Sequence, residues 1–197
     1  LANFGKDSME AKTFYEHLAW MYFHQGKFKE AIELSENALT ASIKHYGAEG
    51  LGTIKNLYYL GEMYSNQGDS KKGSEYFDKF SQVLDKDQSD QHEKRGSSYM
   101  MISRSYFASG NKQKAQEAFE KAVKAAVKGF GEDSMKVGEY YDSWGLLLKD
   151  NILTALESKK ALTKALNIFK KIDLKDQGRL LHLYSQLGEI AYYDDQF

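Results

Sequence analysis

The sequence predicts an all-α protein built as a solenoid of antiparallel helix pairs. Three observations carry that expectation. The first is a restatement. Phe4-Gly-Lys-Asp-Ser-Met9 returns as Phe130-Gly-Glu-Asp-Ser-Met135, followed each time by an aromatic-rich run. The offset is three times 42 residues, a whole multiple of a recurring period, which points to a repeat architecture. The second is apolar spacing of i, i+3, i+4, i+7, the signature of one helix face, recurring with that period. The third is composition. The 197 residues contain no proline, where average usage would give about ten. Fourteen tyrosines and eleven phenylalanines supply bulk. Long, uninterrupted helices are favoured by both features.

The elements follow in order. Tyr15, Leu18, Ala19 and Tyr22 define one face of a first helix over 9–25, with Asp7 and Ser8 as candidate caps. Gln25-Gly26 stops it, since glycine tolerates the left-handed conformation at a helix end. A second helix runs from Phe28 to about Tyr46-Gly47, with Ala31, Ser35 and Ala38 on one face. Adding 42 gives Leu57, Leu60, Gly61 and Tyr64, then Gly68, then Gly73, Phe77 and Phe80. Adding 42 again gives Tyr99, Ile102, Ser103 and Tyr106, then Gly110, then Ala115, Phe119 and Ala122. A further step gives Tyr141, Trp144, Gly145 and Leu148. A last step of 43 gives Tyr184, Leu187, Gly188 and Ala191, with Phe197 in the place of Phe28. The units are therefore 4–45, 46–87, 88–129, 130–172 and a partial 173–197, one array over 1–197. Ala19, Gly61, Ser103, Gly145 and Gly188 are small at one shared position, and Ala31, Gly73 and Ala115 at another. Small residues let paired helices approach, aromatics fill the gaps, and neighbouring units cover each other's apolar faces.

Tyr15-x-x-Leu-Ala-x-x-Tyr22, Gly26 and Ala31 resemble a tetratricopeptide repeat (TPR), and the third unit matches in register. The 42-residue period, with Phe-Gly or Tyr-Gly before the first helix, is similar to the repeats of kinesin light chains. The stretches near Tyr46–Tyr64 and Phe130–Leu148 are also similar to TPR proteins of ciliary axonemes, including the one with a MYND zinc finger. No zinc-finger cysteines occur here, and the proline that usually closes a TPR is missing from every unit. The resemblance implies a right-handed superhelix of about four and a half repeats.

Two departures stand out. The fourth unit lacks its turn glycine, and its second-helix residues Ala161, Ala165 and Ile168 read four positions late. Four residues are about one helical turn, so a first helix extended through Leu148, Ile152 and Ala155 is expected. The polar run Asp85–Arg95 is expected to be a solvated loop, or else a docking segment.

Composition excludes several functions. Net charge is −1, so no global basic field draws nucleic acid or acidic membrane. Without cysteine there is no disulfide, thiolate zinc site or cysteine nucleophile. The longest apolar runs, such as Trp144–Leu148, are too short to span a bilayer. No leader is visible, and the start at Leu1 suggests a fragment or processed product. His17 and His24 could share a helix face, but the five histidines form no metal-ligand pattern. Gly47-Ala-Glu-Gly-Leu-Gly52 lacks the lysine and hydroxyl of a phosphate loop and reads as a connector. No carboxylates pair as an acid/base couple. The expectation is a non-enzyme without cofactor or metal. Lys112, Lys114, Lys121, Lys124, Lys128, Lys159, Lys160, Lys164, Lys170 and Lys171 form either a solvated convex face or a contact for an acidic partner.

The TPR resemblance implies a concave surface lined by five positions of each first helix. These are Thr13, Glu16, Trp20, Phe23 and His24; Lys55, Tyr58, Glu62, Ser65 and Asn66; Ser97, Met100, Arg104, Phe107 and Ala108; and Glu139, Asp142, Leu146, Lys149 and Asp150. From these, Glu16, Trp20, Phe23, His24, Lys55, Tyr58, Glu62, Arg104, Phe107 and Lys149 are the candidate partner-binding residues. Their aromatics either serve an interface or pack on a neighbouring unit. Glu16 and Trp20 stand where a chaperone-tail clamp needs Lys and Asn, which excludes that role. The implied function is a protein-interaction scaffold in the cytoplasm. It would sit in a multi-protein complex, in a ciliary, axonemal or microtubule-associated setting. Neighbouring subunits would stack on its ends, and neither nucleic acid nor membrane is a partner. A peptide-responsive regulator and the TPR arm of a larger enzyme stand as alternatives.

Overall fold

The computed structural model describes residues 5–87, 90–149 and 154–194, with side chains as far as Tyr192. Among them the regular elements are all helical: α1 (Met9–His24), α2 (Phe28–Tyr46), α3 (Ile54–Gln67), α4 (Ser70–Lys86), α5 (His92–Ala108), α6 (Lys112–Phe130), α7 (Met135–Leu148), α8 (Ala155–Lys171) and α9 (Gln177–Asp194). A short 3-10 turn at Leu51–Thr53 leads into α3. The glycine run before it is a connector, as the sequence implies.

The restated motif marks helix starts. Ser8 Oγ accepts from the Ala11 N–H at 3.1 Å, and Ser134 Oγ accepts from the Val137 N–H at 3.4 Å. Asp69 does the same for α4 through the Lys72 N–H at 3.0 Å. Such caps contribute about 1 kcal/mol each. The stops are equally regular. Gly26, Gly68 and Gly110 turn the chain at φ of 73°, 96° and 80°. Gly47 and Gly131 end α2 and α6 in the same region, and Asp173, three periods after Gly47, holds φ 52° after α8. A side chain there costs roughly 1 kcal/mol or more. Asp173→Gly should therefore stabilise the chain by about 1 kcal/mol in urea unfolding. Its exposed contact with Lys175 adds little to set against that gain.

The chain divides into two compact units. The first comprises residues 1–89 and 105–112, and the second 90–104 and 113–197. In the first, α1 packs on α2, α2 on α3, and α3 on α4. Phe77 is fully buried, and a Cβ at Gly61 would lie 2.3 Å from its ring. The small residue at that position is thus what admits the aromatic. Tyr64 donates to Glu36 at 2.8 Å, and Tyr106 to Asp78 at 2.6 Å, 42 residues on. In the second unit α7 packs on α8 and α8 on α9. A Cβ at Gly138 would meet Phe169 as tightly as one at Gly61 meets Phe77, and one at Gly145 would lie 2.5 Å from Leu162. Ser103 Oγ donates to the Ala115 carbonyl at 2.7 Å, joining α5 to α6. Ion pairs close three hairpins at equivalent places: Lys44–Asp7, Lys86–Glu49 and Lys171–Asp133. Their exposure limits each to about 0–1 kcal/mol.

Leu60 and Ile102 are fully buried, whereas Leu18 is only half-buried. Among the described residues nothing covers the outer side of α1.

Three expectations need correction. In the fourth unit α7 is not extended by a turn. It ends at Leu148, Ala155 is the first residue of α8, and Ile152 lies outside the described residues. The Leu148 carbonyl is taken by Thr154 Oγ1 at 2.7 Å, so a side chain completes the helix end. The loop expected over Asp85–Arg95 is shorter, because α4 continues through Lys86 and α5 begins at His92. Charged residues suit a solvated helix face as well as a loop. In α9, Leu183, Gln186 and Ile190 are buried, while Tyr184 is 48% exposed. A Cβ at Gly188 would meet nothing within 4 Å. The expected face needs a second helix from its own unit, and none follows among the described residues. The side against α8 is buried instead, joining Leu162, Leu166 and Phe169. Phe197 lies outside the described residues.

Candidate protein-binding surfaces

In the first unit the candidate residues on α1 and α3 separate into a polar knot and an aromatic ledge. Glu16 has a side chain only 8% exposed. It holds Lys12 at 2.7 Å and Lys55 at 3.2 Å, and accepts from Asn56 Nδ2 at 2.8 Å. Burial would raise its carboxyl, but the hydrogen bonds from Lys12, Asn56 and Lys55 outweigh this and hold it below the usual carboxylate range. Glu16 and Lys55 therefore serve each other. Glu62 is likewise engaged, by the Ser105 hydroxyl. Trp20 is different: its indole is 46% exposed. His24 stands against it edge-on at 4.2 Å, Phe23 lies at 6.1 Å and Tyr59 at 5.6 Å. Tyr58 turns inward, with Phe77 at 6.1 Å and Phe80 at 6.2 Å. Its neighbour Tyr59, which the repeat positions do not select, completes the ledge, under the Lys55 ammonium at 5.6 Å. Phe107 is half-buried in the last turn of α5.

In the second unit α5, α7 and the start of α9 enclose a cavity of about 300 Å³. It gathers Ser97, Met100, Arg104, Glu139 and Asp142, all inner-face positions of the repeat pattern. Met101, Tyr140, Ser143 and Arg179 complete the lining. Arg179 bonds Glu139 Oε1 at 3.3 Å and lies 5.5 Å over the Phe169 ring. The signal for that pair is its separation of 40 residues, the same as Asn56 to Glu16. Asp142 Oδ1 is buried without a hydrogen-bond partner. Burial pushes the Asp142 carboxyl up, against the pull of Arg179 and His182. Arg104 is exposed and makes no hydrogen bond or ion pair among the described residues. Lys149 is committed to Gln186 at 2.6 Å and Glu189 at 3.5 Å, and Asp150 lies outside the described residues.

A second hollow of about 350 Å³ lies among α6, α7 and α8, walled by Phe119, Tyr141 and Trp144. Its aromatics belong to the interior, since Phe119 stacks on Trp144 at 4.8 Å. Several lysines of the basic series are engaged: Lys164 with Glu132, Lys171 with Asp133, Lys121 over Tyr99 and Lys170 over Tyr184. Among the described residues no three metal-binding side chains cluster, and no helix is long and apolar enough to cross a membrane.

The tetratricopeptide repeat profile matches residues 10–79 and 56–126, together more than half of the chain. No curated protein matches it in sequence. Among solved structures, the kinesin-light-chain-like protein of Podosopora anserina with nearly identical TPR-like repeats is similar at a TM-score of 0.71. The match is 20% identical and covers 93% of this chain and 87% of that one. A point variant of that protein gives 0.70 at 20% identity, with 93% and 86% covered. BtubC (BKLC) from P. vanneervenii gives 0.67 at 17% identity, with 91% and 71% covered. Likeness at these identities concerns the fold.

Proposed function

Because the chain belongs to the tetratricopeptide repeat family, we propose that it is a non-catalytic interaction scaffold whose array holds a peptide or helical segment of partner proteins. The observation that carries this reading is the Trp20 ledge. A large aromatic left 46% exposed beside Phe23, His24 and Tyr59 costs free energy in water and gains it under a partner. Partner docking by equilibrium binding to preformed helix faces asks for no catalytic group. The setting we propose, from the sequence resemblance, is a ciliary, axonemal or microtubule-associated assembly.

The test is affinity capture from axonemal extract by the immobilised chain, beside a Trp20→Ala, Arg104→Glu double variant. Both positions are exposed, so helicity should be unchanged. The expected result is retention of defined axonemal proteins by the parent chain and at least about tenfold weaker retention by the variant, as for loss of an interface anchor. Equal retention by both would remove these residues from the mechanism. Retention of nothing axonemal would remove the setting.

A further inference from the structure

We propose that Met135 is an oxidation site, and that its sulfoxide is a strong acceptor for Arg179 that ties α9 more firmly to α7. This goes beyond the scaffold reading and does not depend on a bound partner. The geometry is in place before oxidation. Met135 opens α7 and is 39% exposed, so a small peroxide can reach it. Arg179 Nη1 lies 3.7 Å from its sulfur and 3.3 Å from Glu139 Oε1, one turn along the same helix. Arg179 itself belongs to the first turn of α9, where its backbone N–H donates to Asp176 Oδ1 at 3.0 Å. One side chain therefore spans the starts of two helices. The other Glu139 oxygen is already held by Lys136 at 3.3 Å. A guanidinium has five N–H donors, and the acceptor it meets here besides Glu139 is a thioether, a weak one. That contact is the one oxidation changes. A sulfur lone pair attacks one oxygen of hydrogen peroxide, the O–O bond breaks and an S–O bond forms. The proton on the transferred oxygen passes to the departing hydroxide, which leaves as water; sulfur is oxidised by two electrons and the peroxide is reduced. The new oxygen carries partial negative charge beside Nη1, so a weak contact becomes a charge-assisted hydrogen bond.

The other methionines are internal controls. Met21 and Met101 are 56% and 41% exposed, whereas Met63 is buried. The full chain would be treated with hydrogen peroxide and the oxidised fraction at each methionine read by peptide mass spectrometry. Amide hydrogen exchange would be followed over 177–186 of α9. Met135 should oxidise alongside Met21 and Met101 and well ahead of Met63. Exchange at the start of α9 should then slow about threefold, the scale of one partly exposed hydrogen bond to a charged group. Two variants locate the cause. Met135→Leu keeps the other methionines, so peroxide should leave its α9 exchange unchanged. Arg179→Ala should still be oxidised at Met135 and show no slowing. Oxidation of Met135 as slow as that of Met63 would remove the site. Unchanged or faster α9 exchange in the oxidised parent would overturn the tie. Slowing of the same size in either variant would overturn it as well.

Discussion

Replacing Phe77 with alanine should cost about 3–5 kcal/mol, the largest single loss anticipated in the chain. The ring is fully buried in α4 and fills the notch left by Gly61 in α3. It also meets Tyr106 of α5 edge-on at 5.6 Å and Tyr58 at 6.1 Å. One side chain thus ties a helix pair to the helix that follows. Truncation removes the transfer energy of the ring and leaves a cavity that three helix backbones cannot close together. Urea unfolding monitored by far-ultraviolet circular dichroism measures it. A loss below about 1 kcal/mol, the scale of a surface change, would mean that the repeats do not depend on this contact.

Gly61→Val is the reciprocal experiment. A Cβ at this position would lie 2.3 Å from one ring carbon of Phe77 and 2.8 Å from another. A fully buried aromatic cannot retreat into solvent, so the helices must separate. The expected cost is about 3 kcal/mol, the upper end for overpacked cores. The two substitutions should not add. With Phe77→Ala in place, the valine occupies part of the vacated volume, and the double-mutant cycle should return a favourable coupling of roughly 1–2 kcal/mol. Strict additivity would indicate that Gly61 is small for helix-backbone reasons alone.

These pairs also show what the sequence makes legible. Gly61, Gly145, Ser103 and Ala19 share a repeat position, and the structure places a neighbouring element against each of the first three. Size at one position is a local property, and periodicity reveals it. The caps are legible for the same reason, since Ser8 and Ser134 satisfy N–H groups only three residues ahead. What escaped depends on partners elsewhere. Thr154 closes α7 from six residues beyond, where helical spacing alone favoured another turn. In α9 the side facing α8 takes the burial, through Leu183 and Ile190, rather than the face chosen by register. Arg104, Glu139 and Asp142, which repeat spacing groups together, line one cavity. Their electrostatic state was not legible. Glu16 spends its charge on Lys12 and Lys55, and Glu139 on Arg179, while Asp142 keeps an unmet oxygen. Which charge is satisfied is a question of three-dimensional neighbours, and a one-residue choice such as Tyr59 over Tyr58 turns on side-chain direction.

The two tryptophans fall one to each compact unit, in opposite surroundings. Trp144 is sealed and lies flat on Phe119, whereas Trp20 meets solvent with an imidazole 4.2 Å away. Intrinsic fluorescence of the unmodified chain should therefore be resolved by colour. Blue-shifted emission should follow the integrity of the second unit, and red-shifted emission whatever settles on the first. The chain thus carries its own spectral label for the aromatic ledge of the first unit.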